Sequence, residues 1–351
     1  MNKNIISSIL SYFQHYTIDF DVYVIADTQE RTKYLYTSEC SHADESEFFS
    51  KEEFAEIASA IFYAFGYVRV FYSEIEFIKY FLENELNPNQ FIVYNFARDG
   101  QANGKKSLIP AFCDLLNIHY TGSNAFVISL LRNKEIYTIL LESNNISVPK
   151  SFVYKSHDDC SKLIAEFMNK KVIVKNMHES ASIGLTTQNV FEISDNSPQN
   201  LEKICTKMHS DELLVQEFIE GPEFEVLVIQ FQGAYYSLMP VEIIFPDTHT
   251  YIDTEISNSY QYQFRIATPE IATVICNAAK EAAKVLKIKD YARFDFRIKN
   301  GVPYLFDIAG TPYTIYHSSI AYLFTKYYEL PYESIYKIIV ACMLSNYESD
   351  S

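Results

Sequence analysis

The sequence points to a mixed chain, α/β in its first third and α+β beyond. Three observations carry that expectation. Apolar strand runs alternate with helix-spaced segments up to about residue 117, the pattern of a parallel sheet covered by helices. From about residue 171 to 264, strand-like runs follow one another across short turns, as antiparallel strands do. Near the end, YARFDFRIK and VPYLFDIAG are joined by Asn300-Gly301, a dipeptide that favours a tight hairpin.

In the first third, 21–26 (DVYVIA), 68–72 (VRVFY) and 91–95 (FIVYN) read as strands. Residues 51–65, 74–84 and 107–117 read as helices, the last with Pro110 near its start, where proline is tolerated. In the middle, 124–144 and 157–169 read as helical, and 151–155 and 171–175 as strands. A polar, small-residue segment, 178–184 (HESASIG), follows shortly after the lysine that ends KVIVK. LLVQEFI, FEVLVIQ and AYYSLMPVEII are further strands, with turns at 221–223 (GPE) and 231–234 (FQGA). Thr268-Pro269 suits an N-cap followed by the first helical position. Ile271, Val274, Ile275, Ala278, Ala282 and Val285 then recur at helical spacing. Two helices, near 316–328 and 331–345, close the chain. The expected units are 1–123, 124–215 and 216–351.

A chain of 351 residues is too long for one minimal domain, and its 48% apolar content suffices for a sizeable core. The aromatics, 28 Tyr and 26 Phe without Trp, read mostly as core and boundary residues, because a tyrosine ring can be buried while its hydroxyl stays wet. A net charge of −16 speaks against nucleic acid or anionic lipid as a partner. It does not speak against ATP, since a few lysines and a magnesium ion reverse the local sign. The six cysteines are scattered, with no CxxC pair and no Cys/His cluster at metal spacing, which suits free thiols in a reducing cytoplasm. The first twenty residues lack an apolar run and a cleavage site, so no signal peptide is expected. No stretch has the length of apolar sequence that a membrane helix needs.

Several residues carry chemistry. Pairing about Asn300-Gly301 brings Asp295 within one or two positions of Leu305 to Asp307. Two carboxylates at one end of adjacent strands can share a magnesium ion through hard oxygen ligands; two solvated acids are the alternative. Arg293, two residues before Asp295, faces the same side of its strand. It can pair with the acids or stabilise charge on a reacting phosphoryl or acyl group. Lys175 ends an apolar strand before a hydroxyl-bearing loop and can meet phosphate oxygens. Lys134 by its neighbours alone is a solvated helical lysine. QEFIEGPEFEV, 216–226, is a strand, a tight turn and a strand. Its backbone can bind an adenine edge and Glu223 can accept ribose hydroxyls, unless it is an ordinary hairpin.

Together these segments resemble the ATP-grasp ligases, specifically the D-alanine–D-alanine ligase family, from about residue 91 to 319. IPAFCDLLNIHYTGSNAF resembles the family's helix and strand ending in YTGS. RNK resembles its D-K, which implies that Lys134 is a first ATP lysine. VIVKNMHESASIGL resembles its VKP-x-x-EGSSIG, which implies Lys175 as the second and 178–184, with Ser182, as the phosphate-covering loop. VQEFIEGPEFEV resembles E-E-F-I-x-G-x-E, so Gln216, Glu217, Phe218 and Ile219 would form the adenine linker and Glu223 would bind ribose. ARFDF resembles the family's arginine-x-aspartate strand, with Arg293 catalytic and Asp295 on the metal. DIAGTPYTIYHSS resembles E-x-N-T-x-P-G-M-T-x-H-S, placing Asp307 on the metal and Tyr313 and Ser318 near substrate. Thr28, Glu30 and Arg31 resemble S-x-E-R, so Glu30 would bind the donor's amino group. The resemblance implies an ATP-grasp fold with an N-terminal parallel-sheet domain, and ATP and magnesium or manganese held between two α+β lobes. It also implies a reaction in which ATP phosphorylates a carboxylic acid and an amine attacks the acyl phosphate.

The departures from the family's pattern are specific. Ala309 stands where the family has an asparagine, Tyr313 where it has a glycine, Ala181 where it has a loop serine, and Ile25-Ala26 where it has a glycine pair. The lysine-tyrosine pair of the family's mobile loop is not evident in YIDTEISNSYQY. The leading expectation is therefore an ADP-forming carboxylate–amine ligase acting on an amino acid or small peptide, with substrates other than two D-alanines. A nucleotide-binding regulator that has lost turnover is the alternative. The family's habit makes a homodimer the expected assembly.

Overall fold

The structure is a computed structural model and describes residues 3–16, 20–29, 47–100, 102–180, 182–246 and 249–350. It contains three sheets, each in a part of the chain with its own hydrophobic pattern.

The first sheet is parallel, with strands β1 (Asp21–Ala26), β2 (Val68–Phe71) and β3 (Phe91–Phe96) in the order β2-β1-β3. Val22 is level with Val68 on one side and with Ile92 on the other. Near-continuous burial of β1 and β3 follows from helices on both faces. Two of those helices, α2 (Lys51–Phe65) and α3 (Glu74–Glu83), begin at serines whose hydroxyls accept the N–H three residues on. A helix the sequence reading did not anticipate, α1 (Lys3–His15), precedes the sheet; Ile6, Ile9 and Phe13 form its buried stripe. A further helix, α4 (Leu108–Leu116), ends at Asn117 in a left-handed conformation.

The segment 124–144, expected as one helical stretch, is broken into α5 (Ala125–Leu131) and α6 (Lys134–Ser143). The Asn133 side chain accepts the Ile136 N–H at 3.0 Å, so it caps a new helix rather than continuing the old one. Lys134 consequently opens α6.

The second sheet is antiparallel: β4 (Ser151–Lys155), β5 (Lys171–Asn176), β6 (Val190–Glu192) and β7 (Glu212–Glu217), ordered β4-β7-β5-β6. Helices α7 (Ser161–Phe167) and α8 (Ser197–Met208) bury Leu163, Phe167, Leu201 and Ile204 against it. The helix expected from 157 begins only at Ser161.

The third sheet is also antiparallel. Strands β8 (Glu223–Phe231), β10 (Val241–Ile244), β11 (Gln263–Ile266), β12 (Tyr291–Lys299) and β13 (Val302–Ala309) run in the order β11-β10-β8-β12-β13, and β9 (Ala234–Ser237) pairs with β8. A short helix, α9 (Thr254–Ser259), precedes β11. The long helix α10 (Pro269–Val285) starts where Thr268-Pro269 predicts. Its buried stripe is Ala272, Ile275, Cys276, Ala279, Ala282 and Ala283, which shares Ile275 and Ala282 with the expected set; Ile271, Ala278 and Val285 are partly buried against the same core, and Val274 is exposed. Small side chains face the sheet because they let the helix axis approach it closely. The chain closes with α11 (Ser319–Tyr322), which continues as a π-turn to Tyr327, and α12 (Ser334–Asp350). The first is shorter than the helix expected near 316–328, even with its π-turn; the second starts three residues later than expected and, at 17 residues, runs on past 345. Ile335, Ile339 and Met343 of α12 join Val22, Val24 and Ile92 of the first sheet in one core. Among the described residues no helix is long and apolar enough to cross a membrane.

Candidate active site

The second and third sheets wall a cleft of about 670 Å3. Every site residue singled out in the sequence lines it, except Glu30, which lies outside the described residues along with Arg31 and Ala181. Strand alternation explains the convergence. On β12, Arg293, Asp295 and Arg297 are spaced by two and share a face. Asp295 is level with Glu225 of β8 on one side and with Asp307 of β13 on the other, so three carboxylates stand in a row across three strands. A bulge in the hairpin leaves Phe306 without a partner on β12.

The row is charge-compensated. Arg293 grips Asp295 with two nitrogens, both at 2.8 Å, and reaches Glu225 at 3.3 Å. Lys134, delivered by the first turn of α6, pairs with Asp307 at 3.2 Å, and the Tyr137 hydroxyl donates to the same oxygen at 3.3 Å. Burial pushes the Asp307 carboxyl up, but Lys134 and Lys175 outweigh it and hold it at about 2. Burial pushes Asp295 up to about 7; Arg293 opposes the shift, while Glu225 and Asp307 add to it. Burial likewise lowers the Lys175 ammonium to about 8, and the nearby Asp307 resists. Lys175 donates to Gln216 Oε1 at 3.0 Å and sits over the Phe306 ring, 4.9 Å from its centroid.

At the other end of the cleft, Arg297 donates twice to Glu223 Oε2, at 2.7 and 3.2 Å, and to the Ile219 carbonyl at 3.0 Å. Burial raises the Glu223 carboxyl, and Arg297 counters it. Both arginine nitrogens use Oε2, so Oε1 is not taken by this pair. Glu217 and Phe218 donate their N–H groups to the carbonyls of Lys150 and Lys171. Beside this linker Ile173, Leu185 and Phe218 make an apolar slot.

The loop 178–184 is stitched to the segment before α9. Ser182, at φ 55°, donates its hydroxyl to the Ile252 carbonyl at 2.9 Å, and Thr254 donates to the Ser182 carbonyl at 2.8 Å. Arg132 bonds Ser180 and the His178 carbonyl from the other side. Arg132, Lys105 and Lys106 also surround the buried Glu47. Burial raises that carboxyl, but Lys106, Arg132 and Lys105 together keep it well below the usual range. The Tyr313 hydroxyl donates to the Glu47 carbonyl at 2.6 Å, and the Arg98 guanidinium lies 4.3 Å from the Tyr313 ring centroid. Ser318 caps α11: its hydroxyl donates to Ile315 and accepts the Ala321 N–H.

The sequence reading missed Glu225, Arg297, Phe306 and Ser319, whose hydroxyl bonds Glu225. Period-two spacing could have found two of them, since Glu225 follows Glu223 and Arg297 follows Asp295 on the same faces. Ala309, opposite Arg293 and two residues from Asp307, offers no ligand atom. The carboxylates of Asp295, Asp307 and Glu225 are hard oxygen donors on adjacent strands, the ligand type that magnesium takes. The four acids Glu223, Glu225, Asp295 and Asp307 face four cations, Lys134, Lys175, Arg293 and Arg297. A polyphosphate arriving with divalent ions would preserve that balance.

Two antiparallel sheets closing on such a cleft make this an ATP-grasp fold, and solved structures agree. Two crystal structures of D-alanine–D-alanine ligase from Bacillus anthracis, one of them complexed with ATP, superpose with TM-scores of 0.65 (the ATP complex) and 0.67 at 15% identity. Each superposition covers 95% of this chain and 100% of the other. The family model described as D-ala D-ala ligase C-terminus matches residues 140–340. The D-alanine–D-alanine ligase of Aquifex aeolicus is 24% identical over 232 residues, 65% of this chain and 74% of its own length. That of Pseudomonas entomophila is 27% identical over 248 residues, 68% and 71% of the two lengths. The chain belongs to the D-alanine–D-alanine ligase family of ATP-grasp ligases, enzymes that form a C–N bond.

Proposed function

We propose that the chain is an ADP-forming carboxylate–amine ligase whose substrates are an amino acid or small peptide and an amine, and are not two D-alanines. The observation that carries this reading is the convergence of Lys134, Lys175, Arg293, Asp295 and Asp307, from four separate elements, on one cleft. In this reading Lys134 and Lys175 meet the phosphates, Gln216 orients Lys175, and Gln216 to Ile219 border the adenine. Glu223 Oε1 takes the ribose. The loop carrying Ser182 covers the phosphates. Asp295 and Asp307, with Glu225 beside them, would hold magnesium or manganese, which supplies charge neutralisation to the phosphates when bound. Arg293 stabilises charge on the reacting acyl or phosphoryl oxygens, which requires it to loosen its grip on Asp295. The three sheets support a division into units near residues 123 and 215. Altered substrate choice is supported by Tyr313, whose side chain, with Arg98 and Phe49, fills a wall that a glycine would leave open.

A nucleotide-binding regulator without turnover is the second reading, favoured by the mute Ala309 and by the closed Arg293–Asp295 pair. ADP release measured with pooled D- and L-amino acids and dipeptides separates the two. Amine-dependent release supports the ligase. Stabilisation by magnesium and ATP without any such release overturns it in favour of the regulator. The same assay tests Ala309→Asn, which places an amide oxygen on the face of Asp307 and should lower the magnesium needed for half-maximal ADP release. Superimposable magnesium titrations would remove Ala309 from the metal's surroundings.

A further inference from the structure

A small cavity of about 70 Å3 lies beside the cleft and shares Ser180, Arg293, Asp307 and Tyr313 with its wall. A single water needs roughly 10–15 Å3, so the cavity has room for a carboxylate and the carbon that carries it, but not for a whole substrate. Ile128 and Leu131 of α5 give it apolar walls. Three buried cations, Arg98, Lys106 and Arg132, also line it.

These cations outnumber their counter-charges. Lys105, Lys106 and Arg132 converge on Glu47, and Lys105 and Arg132 also reach Glu179. The Arg98 guanidinium lies over the Phe49 and Tyr313 rings and donates to the Thr311 carbonyl at 3.2 Å, but it forms no ion pair among the described residues. Asp27 accepts the Arg98 backbone N–H at 2.6 Å, yet burial raises its carboxyl to about 7, so it offsets that charge only in part. The Nε–H groups of both Arg98 and Arg132 are buried and meet no acceptor among the described residues. Buried charges and donors are normally paired. Burial lowers the Lys106 ammonium to about 7; Glu47 opposes that shift, and Arg132 and Arg98 add to it. An anion among these groups would relieve their repulsion and accept the idle donors.

We propose that this cavity takes a second acid group of the carboxylate substrate, which is therefore a dicarboxylic amino acid or a short peptide ending in one. The inference rests on the ligase reading. In that reading the reacting carboxyl lies beside Arg293, which lines cleft and cavity alike, so a second carboxyl a few bonds away reaches Arg98, Lys106 and Arg132. A guanidinium presents paired N–H groups that match a carboxylate, and the apolar walls strengthen such contacts. The second carboxyl is bound and not consumed: the γ-phosphoryl of ATP passes to the carboxyl beside Arg293, and the amine then displaces phosphate from that carbon.

The test is calorimetric titration of nucleotide-free protein with the D and L forms of aspartate, glutamate, asparagine and glutamine, and with inorganic phosphate. At least one dicarboxylic acid should bind roughly ten- to hundredfold more tightly than its own amide, the scale of one charge-assisted hydrogen bond. Arg98→Met and Lys106→Met should each erase most of that preference and leave affinity for the amide little changed. Both variants keep Glu47 paired with Lys105 and Arg132, and thermal melting verifies their folds. Lys106→Met carries the test if loss of the Arg98 guanidinium from its two rings unfolds the chain. Acid and amide weakened alike would give the cations a structural role only and overturn the proposal. So would acids that bind no better than their amides, or phosphate that binds as tightly as the best acid. ADP release with the same acids and an amine reads the ligase separately. A dicarboxylic acid that binds with this preference but supports no amine-dependent release would uphold the cavity's assignment and count against the ligase.

Discussion

Lys175 shows how one side chain's surroundings set a measurable property of the cleft. Burial lowers its ammonium to about 8, although Asp307 pulls the other way. An unfolded lysine titrates near 10.4. Between pH 8 and about 10.4 the unfolded chain therefore keeps a proton that the folded chain has released. This group's contribution to stability is least favourable below pH 8 and improves as pH rises through that window. Phosphate oxygens favour the charged form, so nucleotide binding should draw a proton onto Lys175. We expect net proton uptake on binding magnesium and ATP near pH 8.5, and affinity that weakens as pH rises above 8. Calorimetry in two buffers of different ionisation enthalpy measures the uptake. Lys175→Ala should abolish it and weaken binding roughly ten- to hundredfold, the scale of one charge-assisted hydrogen bond. Equal uptake in the variant would show that another group titrates.

Two glycine turns on neighbouring strands separate backbone preference from close packing. Gly301, at φ 78°, completes the Asn300-Gly301 turn between β12 and β13, and a Cβ there would meet open space. Gly301→Ala should therefore cost only about 1 kcal/mol, the backbone term for a left-handed residue, with nucleotide affinity unchanged. Gly221, at φ 142°, lies between the linker and Glu223, and its Cβ would fall 2.0 Å from the Ile298 carbonyl oxygen. Backbone cannot move aside cheaply. Gly221→Ala should cost more than about 3 kcal/mol, since strain and displacement add, and should also weaken nucleotide binding by shifting Ile219 and Glu223. Urea denaturation and nucleotide titration of both variants check the contrast; equal losses would mean that the β7–β8 turn is not held against β12.

Distant parts of the chain are joined through Asp290, just before β12. Its buried carboxylate accepts the Gly122 N–H at 2.8 Å and the Asn346 amide at 2.9 Å. It thereby links the end of the first third to the third sheet and to α12. Asp290→Ala would leave those donors buried without an acceptor. The expected loss is about 2–4 kcal/mol, read as a lower urea midpoint with little change in the denaturant slope. A loss below about 1 kcal/mol would show that water replaces the carboxylate at this junction.

Much of this was local in origin and so readable in the chain. Short apolar runs marked β1 and β3, Asn300-Gly301 set the hairpin of β12 and β13, and Thr268-Pro269 set the start of α10, because each depends on neighbours a few residues away. The residues expected in the cleft, Glu30 aside, do come together there, and hairpin register alone placed Asp295 beside Asp307. Contacts between distant segments were not readable. Arg293 pairs with Asp295 of its own strand, but its further contact with Glu225 depended on β8 arriving beside it. Glu223 was expected to be open to ribose, yet Arg297 already holds one of its oxygens. The helix α1 had its apolar spacing in plain view, but a short stripe gains a partner only when α12 returns from the far end of the chain. Local patterns determine which strands and turns form; the close approach of charges depends on how the sheets stack, because electrostatic and packing energies act through space and carry no memory of sequence distance.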